Sequence, residues 1–237
     1  MTVERLDRLL SRLGYGSRRD VAYWIKQGWV EVAGQPAKST NQKVSADEVL
    51  LEGKALDHPD GLTIIYHKPV GKVCSRKEEG VLVFEDFPER WLDRKPPFNS
   101  VGRLDKDTAG LLIFTDDGQL NHRLTSPKHN ISKTYDVRLA RPMADDVVER
   151  MASGTLMLEA DDRPCLPAEL TVIDACHAEL VLHEGRYHQV RRMFAALGNH
   201  VEGLTRTHIG RLALADTALE AGGWQDLTAE TLWQRIL

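Results

Sequence analysis

From Leu62 onward the chain is written in strand-length runs. LTIIYHKP (62–69), GLLIFTDDG (110–118), KTYDVRLARP (133–142), CLPAELTVID (165–174) and HAELVLHEG (177–185) read as strands separated by turn formers. Strands that follow strands, instead of alternating with helices, predict an α+β fold with a mostly antiparallel mixed sheet and few helices. Two segments carry helical spacing, MADDVVERMASG (143–154) and RYHQVRRMFAALG (186–198), the second with Val190, Phe194 and Leu197 on one stripe. Asp116-Asp117-Gly118, directly after the LLIF run, predicts the closure of a hairpin.

The first 55 residues have another texture. RLDRLLSRL (5–13) puts Leu6, Leu9, Leu10 and Leu13 at helical spacing, with Arg5, Arg8 and Arg12 on the adjoining face. Ser17 is placed to cap a second helix, RRDVAYWIKQ, which Gly28 can end. WVEVAGQPAK and KVSADEVLLEG then read as short strands. The expected organisation is a small helical and β domain over 1–55, a turn-rich linker LDHPDG over 56–61, and a larger domain over 62–237.

With 237 residues, 42% of them apolar, the chain can bury a substantial core. It has no run of about 18 apolar residues, so a soluble, cytoplasmic protein with no membrane partner is expected. Its three cysteines, Cys74, Cys165 and Cys176, form no C-x-x-C pair, which excludes a disulfide framework and a thiolate zinc site. The net charge of -4 hides two basic stretches. Residues 1–43 hold eight Lys and Arg, among them Arg18, Arg19 and Lys26, against four Asp and Glu. Residues 119–141 hold five, among them Arg123, Lys128 and Lys133, against Asp136 alone. Such local excesses suit contact with a polyanion.

DKDTAG (105–110) matches the first half of a calcium loop, but Ala109 stands at a ligand position and LLIF occupies the second half as a β run, so no metal site is read there. Spacing alone leaves Asp105 either a turn cap or a functional carboxylate.

The segment from Gly102 to Gly118, G-R-L-D-x-x-T-x-G-L-L-x-x-T-x-D-G, resembles the signature of RNA pseudouridine synthases of the RsuA type. Residues 1–55 resemble the S4 RNA-binding domain, and KTY (133–135) and EGRYHQVRRMFAALGNHV (184–201) resemble further blocks of the same family in the same order. One departure is His67 in HKPVG, where the family has Asn; it puts a supporting hydrogen bond in doubt.

The resemblance implies an isomerase without metal or cofactor that breaks the bond between uracil and ribose C1′ and rejoins the base through C5. It implies Asp105 as nucleophile or base, Tyr135 as the ring that stacks on a flipped-out uracil, and Arg191 as the cation that keeps Asp105 ionised. That last role requires only positive charge, so Arg191→Lys is expected to be mild. Arg103 is expected to fill the space left by the base. His188 and Gln189, on the helix one turn before Arg192, are expected to support the loop or touch RNA, and Arg192 to contact phosphate. Arg5, Arg18, Arg19, Lys26, Arg123, Lys128 and Lys133 are the expected RNA contacts. The segment DDGQLNHRLTSPKHNISKTY resembles the branch acting on small-subunit 16S rRNA, so that RNA, bare or partly assembled, is the expected partner of a monomeric enzyme. Large-subunit 23S rRNA, or a catalytically silent assembly factor, is the alternative.

Overall fold

The structure, a computed structural model, describes residues 3–237. The N-terminal unit runs β1 (Glu4–Arg5), α1 (Leu6–Arg12), α2 (Arg18–Lys26), β2 (Val30–Val32), β3 (Gln35–Pro36), β4 (Lys43–Val44), β5 (Val49–Leu51) and β6 (Lys54–Ala55). Ser17 closes a capping box with Asp20 at the start of α2, satisfying amide donors that the first turn leaves open. Leu6, Leu9, Leu10 and Leu13 turn inward against Val30, Val44 and Val49, and this core extends to Leu56.

The larger unit runs β7 (Thr63–Lys68), β8 (Asn99–Ser100), β9 (Ala109–Thr115), α3 (Gly118–Thr125), β10 (Lys133–Leu139), α4 (Val147–Ala152), β11 (Glu169–Asp174), β12 (His177–Leu182), α5 (Gln189–Ala196), β13 (Val201–Ile209), β14 (Leu212–Ala213), β15 (Trp224–Asp226) and α6 (Ala229–Ile236). Its sheet orders the strands β11-β12-β10-β13-β9-β7-β15, with β14 on β13 and β8 on β9. Only β13 and β9 run parallel; the other pairs are antiparallel, and the mixed α+β character matches expectation.

The unbroken apolar run LLIF follows from burial on both faces. Leu112 and Phe114 pack with Ile64 and Tyr66 in an aromatic cluster on one side. Leu111 and Ile113 pack with Ile65, Leu124 and Leu232 on the other. A strand covered on both faces loses the alternation of a half-exposed one.

Four expectations are corrected. Asp116-Asp117-Gly118 closes no hairpin: Asp117 accepts the amides of Gln119 (2.8 Å) and Leu120 (3.1 Å) and caps α3. D-G supports either reading, and the capped helix prevails because Leu120 and Leu124 have a core to enter. Helix 143–154 contracts to Val147–Ala152. Helix 186–198 begins only at Gln189, so His188 lies outside it, at φ 48°. The long central strand β13 has no counterpart among the expected strands, because VEGLTRTHI lacks a regular apolar alternation.

The segment 56–61 is a packed joint. Arg94, buried with Asp116, donates Nε to Oδ2 (2.8 Å) and reaches the His58 carbonyl (2.7 Å). Trp91 donates its indole N–H to Asp57 (2.8 Å), and Arg90 pairs with the same carboxylate while lying over the Tyr15 ring. The Lys95 amide donates to the Arg12 carbonyl (2.8 Å), so the two units meet directly. Among the described residues, no helix is long and apolar enough to cross a membrane.

Candidate active site

Asp105 sits on the loop between β8 and β9, and every carbonyl from Leu104 to Thr108 has a donor. The Cys74 thiol donates to Leu104 (3.3 Å) and the Gly71 amide to Lys106 (2.8 Å). Arg191 donates Nη2 to Asp107 (3.0 Å). Lys68, fully buried at the end of β7, donates Nζ to Asp105 (3.0 Å), Lys106 (3.4 Å) and Thr108 (2.8 Å), and to its neighbour Pro69 (3.0 Å). Burial pushes the Lys68 ammonium below the ordinary lysine range, against the pull of Cys74 and Asp105. An ammonium offers three donors, so a knot of carbonyls can hold it where water does not reach.

With its backbone so held, the loop presents the Asp105 carboxylate, 30% exposed, to a cleft of about 360 Å³. Tyr135 and Lys133 line the same cleft from β10, Arg206 from β13, and Arg103 from the loop. Tyr135 faces Arg206 in the register of β10 against β13. Ile113, Leu124, Leu182 and Ile209 supply apolar wall. A second cavity of about 610 Å³, on which Asp105 also opens, is lined by Arg191, His188 and Tyr187. Burial, and the repulsion of Arg206, hold the Lys133 ammonium below its usual range.

The expected partners of Asp105 are differently disposed. Arg191 makes no ion pair with it; its guanidinium bridges the Asp107 carbonyl and the Val201 carbonyl (2.8 Å). The side chain that reaches the carboxylate is His188, with Nε2 3.3 Å from Oδ1. The left-handed backbone of His188 brings its ring onto Tyr187, with centroids 3.8 Å apart, and Tyr187 is 68% exposed.

Gln189 is buried, its amide joined to Glu184 (2.8 Å) and to the Arg186 N–H (2.8 Å). Arg192, expected on phosphate, is instead tied to Asp161 (2.6 Å) and to the Glu159 and Tyr187 carbonyls. Arg192 and Arg186 together hold the Asp161 carboxyl below the usual range. His67, the departure from the family pattern, is turned to another part of the fold: Nδ1 lies 2.9 Å from the Leu219 carbonyl, and its backbone pairs with Gly222 and Gly223.

Among the expected RNA contacts, Arg18, Arg19 and Lys26 are exposed and, among the described residues, free of ion pairs. Arg5 is held by Asp7 through two hydrogen bonds (2.9 and 3.1 Å). Arg123 lies 3.7 Å over the Trp233 ring, Lys128 is exposed, and Arg103 meets Glu78 at 3.2 Å.

Sequence reasoning missed Lys68, Thr108 and Arg206. A lysine ending the otherwise buried run TIIYHK was a usable signal for the first. Arg206 follows Leu204 at a spacing of two, visible only once β13 is known to be a strand. Among the described residues, no group of His, Cys, Asp and Glu is arranged to hold a metal ion.

Comparison with known proteins gives this site a family. Residues 62–196 match the RNA pseudouridylate synthase model and residues 4–50 the S4 domain model. The ribosomal small subunit pseudouridine synthase A of Pasteurella multocida is 41% identical over 230 residues, covering 96% of this chain and 97% of that protein. The protein of the same name from Escherichia coli K12 is 39% identical over 233 residues, covering 96% and 98%. A solved crystal structure of a pseudouridylate synthase, 37% identical, aligns with a TM-score of 0.68 over 99% of this chain and all of the other. The chain therefore belongs to the RNA pseudouridylate synthase family and carries an S4 domain ahead of its synthase domain.

Proposed function

We propose that this RNA pseudouridine synthase acts on one uridine of small-subunit ribosomal RNA, as a cytoplasmic monomer. In this reading residues 1–55 supply RNA affinity and residues 62–237 the chemistry. The observation that carries it is the loop of Asp105, whose carbonyls are all bonded while its carboxylate faces a cleft shared with Tyr135. Relatives spanning nearly the whole chain bear the small-subunit name, which supports the choice of RNA.

The target base is turned out of its stack and held against Tyr135. The Asp105 carboxylate either adds to C1′ or takes a proton from the ribose, and the base leaves with the N1–C1′ electron pair. The base turns and C5 bonds to C1′ as the Asp105–C1′ bond breaks or, in the second route, as Asp105 returns the proton to the ribose; C5 then gives up its proton, and N1 gains one. Atoms and charge balance, with no electrons gained or lost. The apolar walls exclude competing water. Outside the cleft, the exposed Arg18, Arg19 and Lys26 contact phosphates.

The test offers the purified protein small- and large-subunit rRNA, each bare and partly assembled, and maps new pseudouridines. One new site in small-subunit RNA is expected. Product confined to large-subunit RNA refutes the choice of RNA, and no product on any RNA refutes turnover. Light scattering checks the monomer.

A further inference from the structure

Among the described residues, three buried side-chain polar atoms lack a hydrogen-bond partner: Arg90 Nη1, Thr108 Oγ1 and Arg206 Nη2. Two of the three belong to residues that line the cleft holding Asp105 and Tyr135. Thr108 is 1% exposed and Arg206 5%, so bulk water does not readily serve either one. Leaving buried donors open costs on the order of 1–3 kcal/mol each, a cost that a bound ligand can remove.

The position of Arg206 is built with care. β13 meets β9 in parallel at Gly110, where an added Cβ would lie 2.3 Å from the Arg206 carbonyl. That approach lets Nε donate to the Leu111 carbonyl (2.8 Å), anchoring one edge of the guanidinium and leaving Nη2 unused. Arg206 is also the register partner of Tyr135, the ring on which the base is proposed to stack. The walls around them, including Ile113, Leu182 and Leu204, suit a flat base better than a hydrated phosphate.

We propose that Arg206 is a catalytic residue that donates Nη2 to a uracil carbonyl oxygen and stabilises the anionic base when the N1–C1′ bond breaks, with Thr108 Oγ1 as a second, neutral donor to the same base. This rests on the pseudouridine synthase reading above. In both routes open to Asp105 the base carries away the N1–C1′ pair, and the negative charge spreads onto O2 and O4. A fixed cation in an apolar cleft gains most from charge that develops only during the reaction. Lys133 also lines the cleft and adds positive potential, and its depressed proton affinity reflects burial first and then the nearby Arg206. Arg206 is therefore tuned to the leaving base, while Asp105 acts on the sugar.

The test uses the full-length protein and a transcript bearing the mapped target site, with uridine, 5-fluorouridine, 2-thiouridine or 4-thiouridine at that position, in single turnover. In the unaltered protein, sulfur at the contacted oxygen accepts a hydrogen bond poorly, and one thio substitution is expected to slow bond cleavage about 10-fold. Arg206→Gln is expected to slow uridine about 10²-fold with RNA affinity little changed. It should slow 5-fluorouridine much less, because fluorine already stabilises the departing anion. Thr108→Val keeps shape and fold and should give a smaller loss with the same base dependence. If neither thio substitution slows the unaltered protein, the contact does not exist, an outcome that needs no variant to fold. If Arg206→Gln slows uridine and 5-fluorouridine equally, the side chain acts through structure and the assignment is overturned. Failure of the unaltered protein to make pseudouridine from uridine counts against the enzyme reading itself and is read separately.

Discussion

At the scale of single residues the site is organised by backbone carbonyls. Lys68 gathers the carbonyls of Asp105, Lys106 and Thr108. Lys68→Met fits the space and removes every donor, leaving buried acceptors unmatched at a cost on the order of 2–3 kcal/mol. Chemical denaturation should show that loss, and turnover should fall further than stability because the Asp105 loop is released. Asp105→Asn keeps size and removes the charge, so isomerisation is expected to vanish while RNA affinity stays within about 2-fold; filter binding and turnover on one transcript check both. Arg191 revises the expectation from sequence. Its two nitrogens bridge the carbonyls of Asp107 and Val201, which a single ammonium cannot span in the same way. Arg191→Lys should thus lose most of the activity that Arg191→Ala loses, and recovery of near-normal turnover in the lysine variant would restore the simpler ion-pair picture.

At the scale of elements, α3 and the inter-unit joint share Asp116-Asp117. Asp117→Ala removes both cap bonds and should cost about 1 kcal/mol in denaturation. The joint centres on Asp57. Burial raises its carboxyl, but the Trp91 indole, the Arg90 guanidinium and His58 outweigh that and hold it below the ordinary range. A carboxyl that ionises more readily in the folded chain than in the unfolded one stabilises above the ordinary aspartate value near pH ~4, and that stabilisation is lost as pH falls through the folded value. The joint should therefore loosen on acidification below pH ~4, and Asp57→Asn should flatten this dependence. Linker cleavage by an acid-active protease, followed from pH ~5 to ~3, reads it directly; identical profiles for the two proteins would remove Asp57 from the joint.

At the scale of the whole molecule, the S4 unit is seated on the synthase unit. Gly14 packs at φ 80° where an added Cβ would lie 2.1 Å from the Arg90 carbonyl. The exposed Arg18, Arg19 and Lys26, proposed above to contact phosphates, are thereby held at a set place relative to Asp105. Replacing these three by alanine should reduce the slope of log affinity against log salt by about 0.7–0.9 for each phosphate no longer neutralised. Turnover at saturating RNA should change little. An unchanged slope would move the RNA grip elsewhere on the molecule.

The class of fold, the Ser17 cap, the leucine stripe of α1 and the family are legible in the chain alone, because periodicity, capping chemistry and ordered motifs are local properties. The sequence brought Asp105, Tyr135 and Arg191 forward as the catalytic group; the structure places Asp105 and Tyr135 on one cleft, while Arg191 lines the neighbouring cavity and bonds the Asp107 and Val201 carbonyls. What it could not decide depends on strands distant in the chain. β13 has an irregular apolar pattern because Arg206 takes one of its buried positions and lines the cleft, so the strand is recognisable only from its pairing with β10 and β9. Lys68 stands 37 residues before the loop it holds, and nothing local announces the partnership. Helix prevails over hairpin at Asp117 because Leu120 and Leu124 have a core to enter, and the hold of Asp161 on Arg192 was likewise settled by contact between distant residues. The partners of Lys68 and Arg192 lie 37 and 31 residues away in the chain and meet only when the fold is complete.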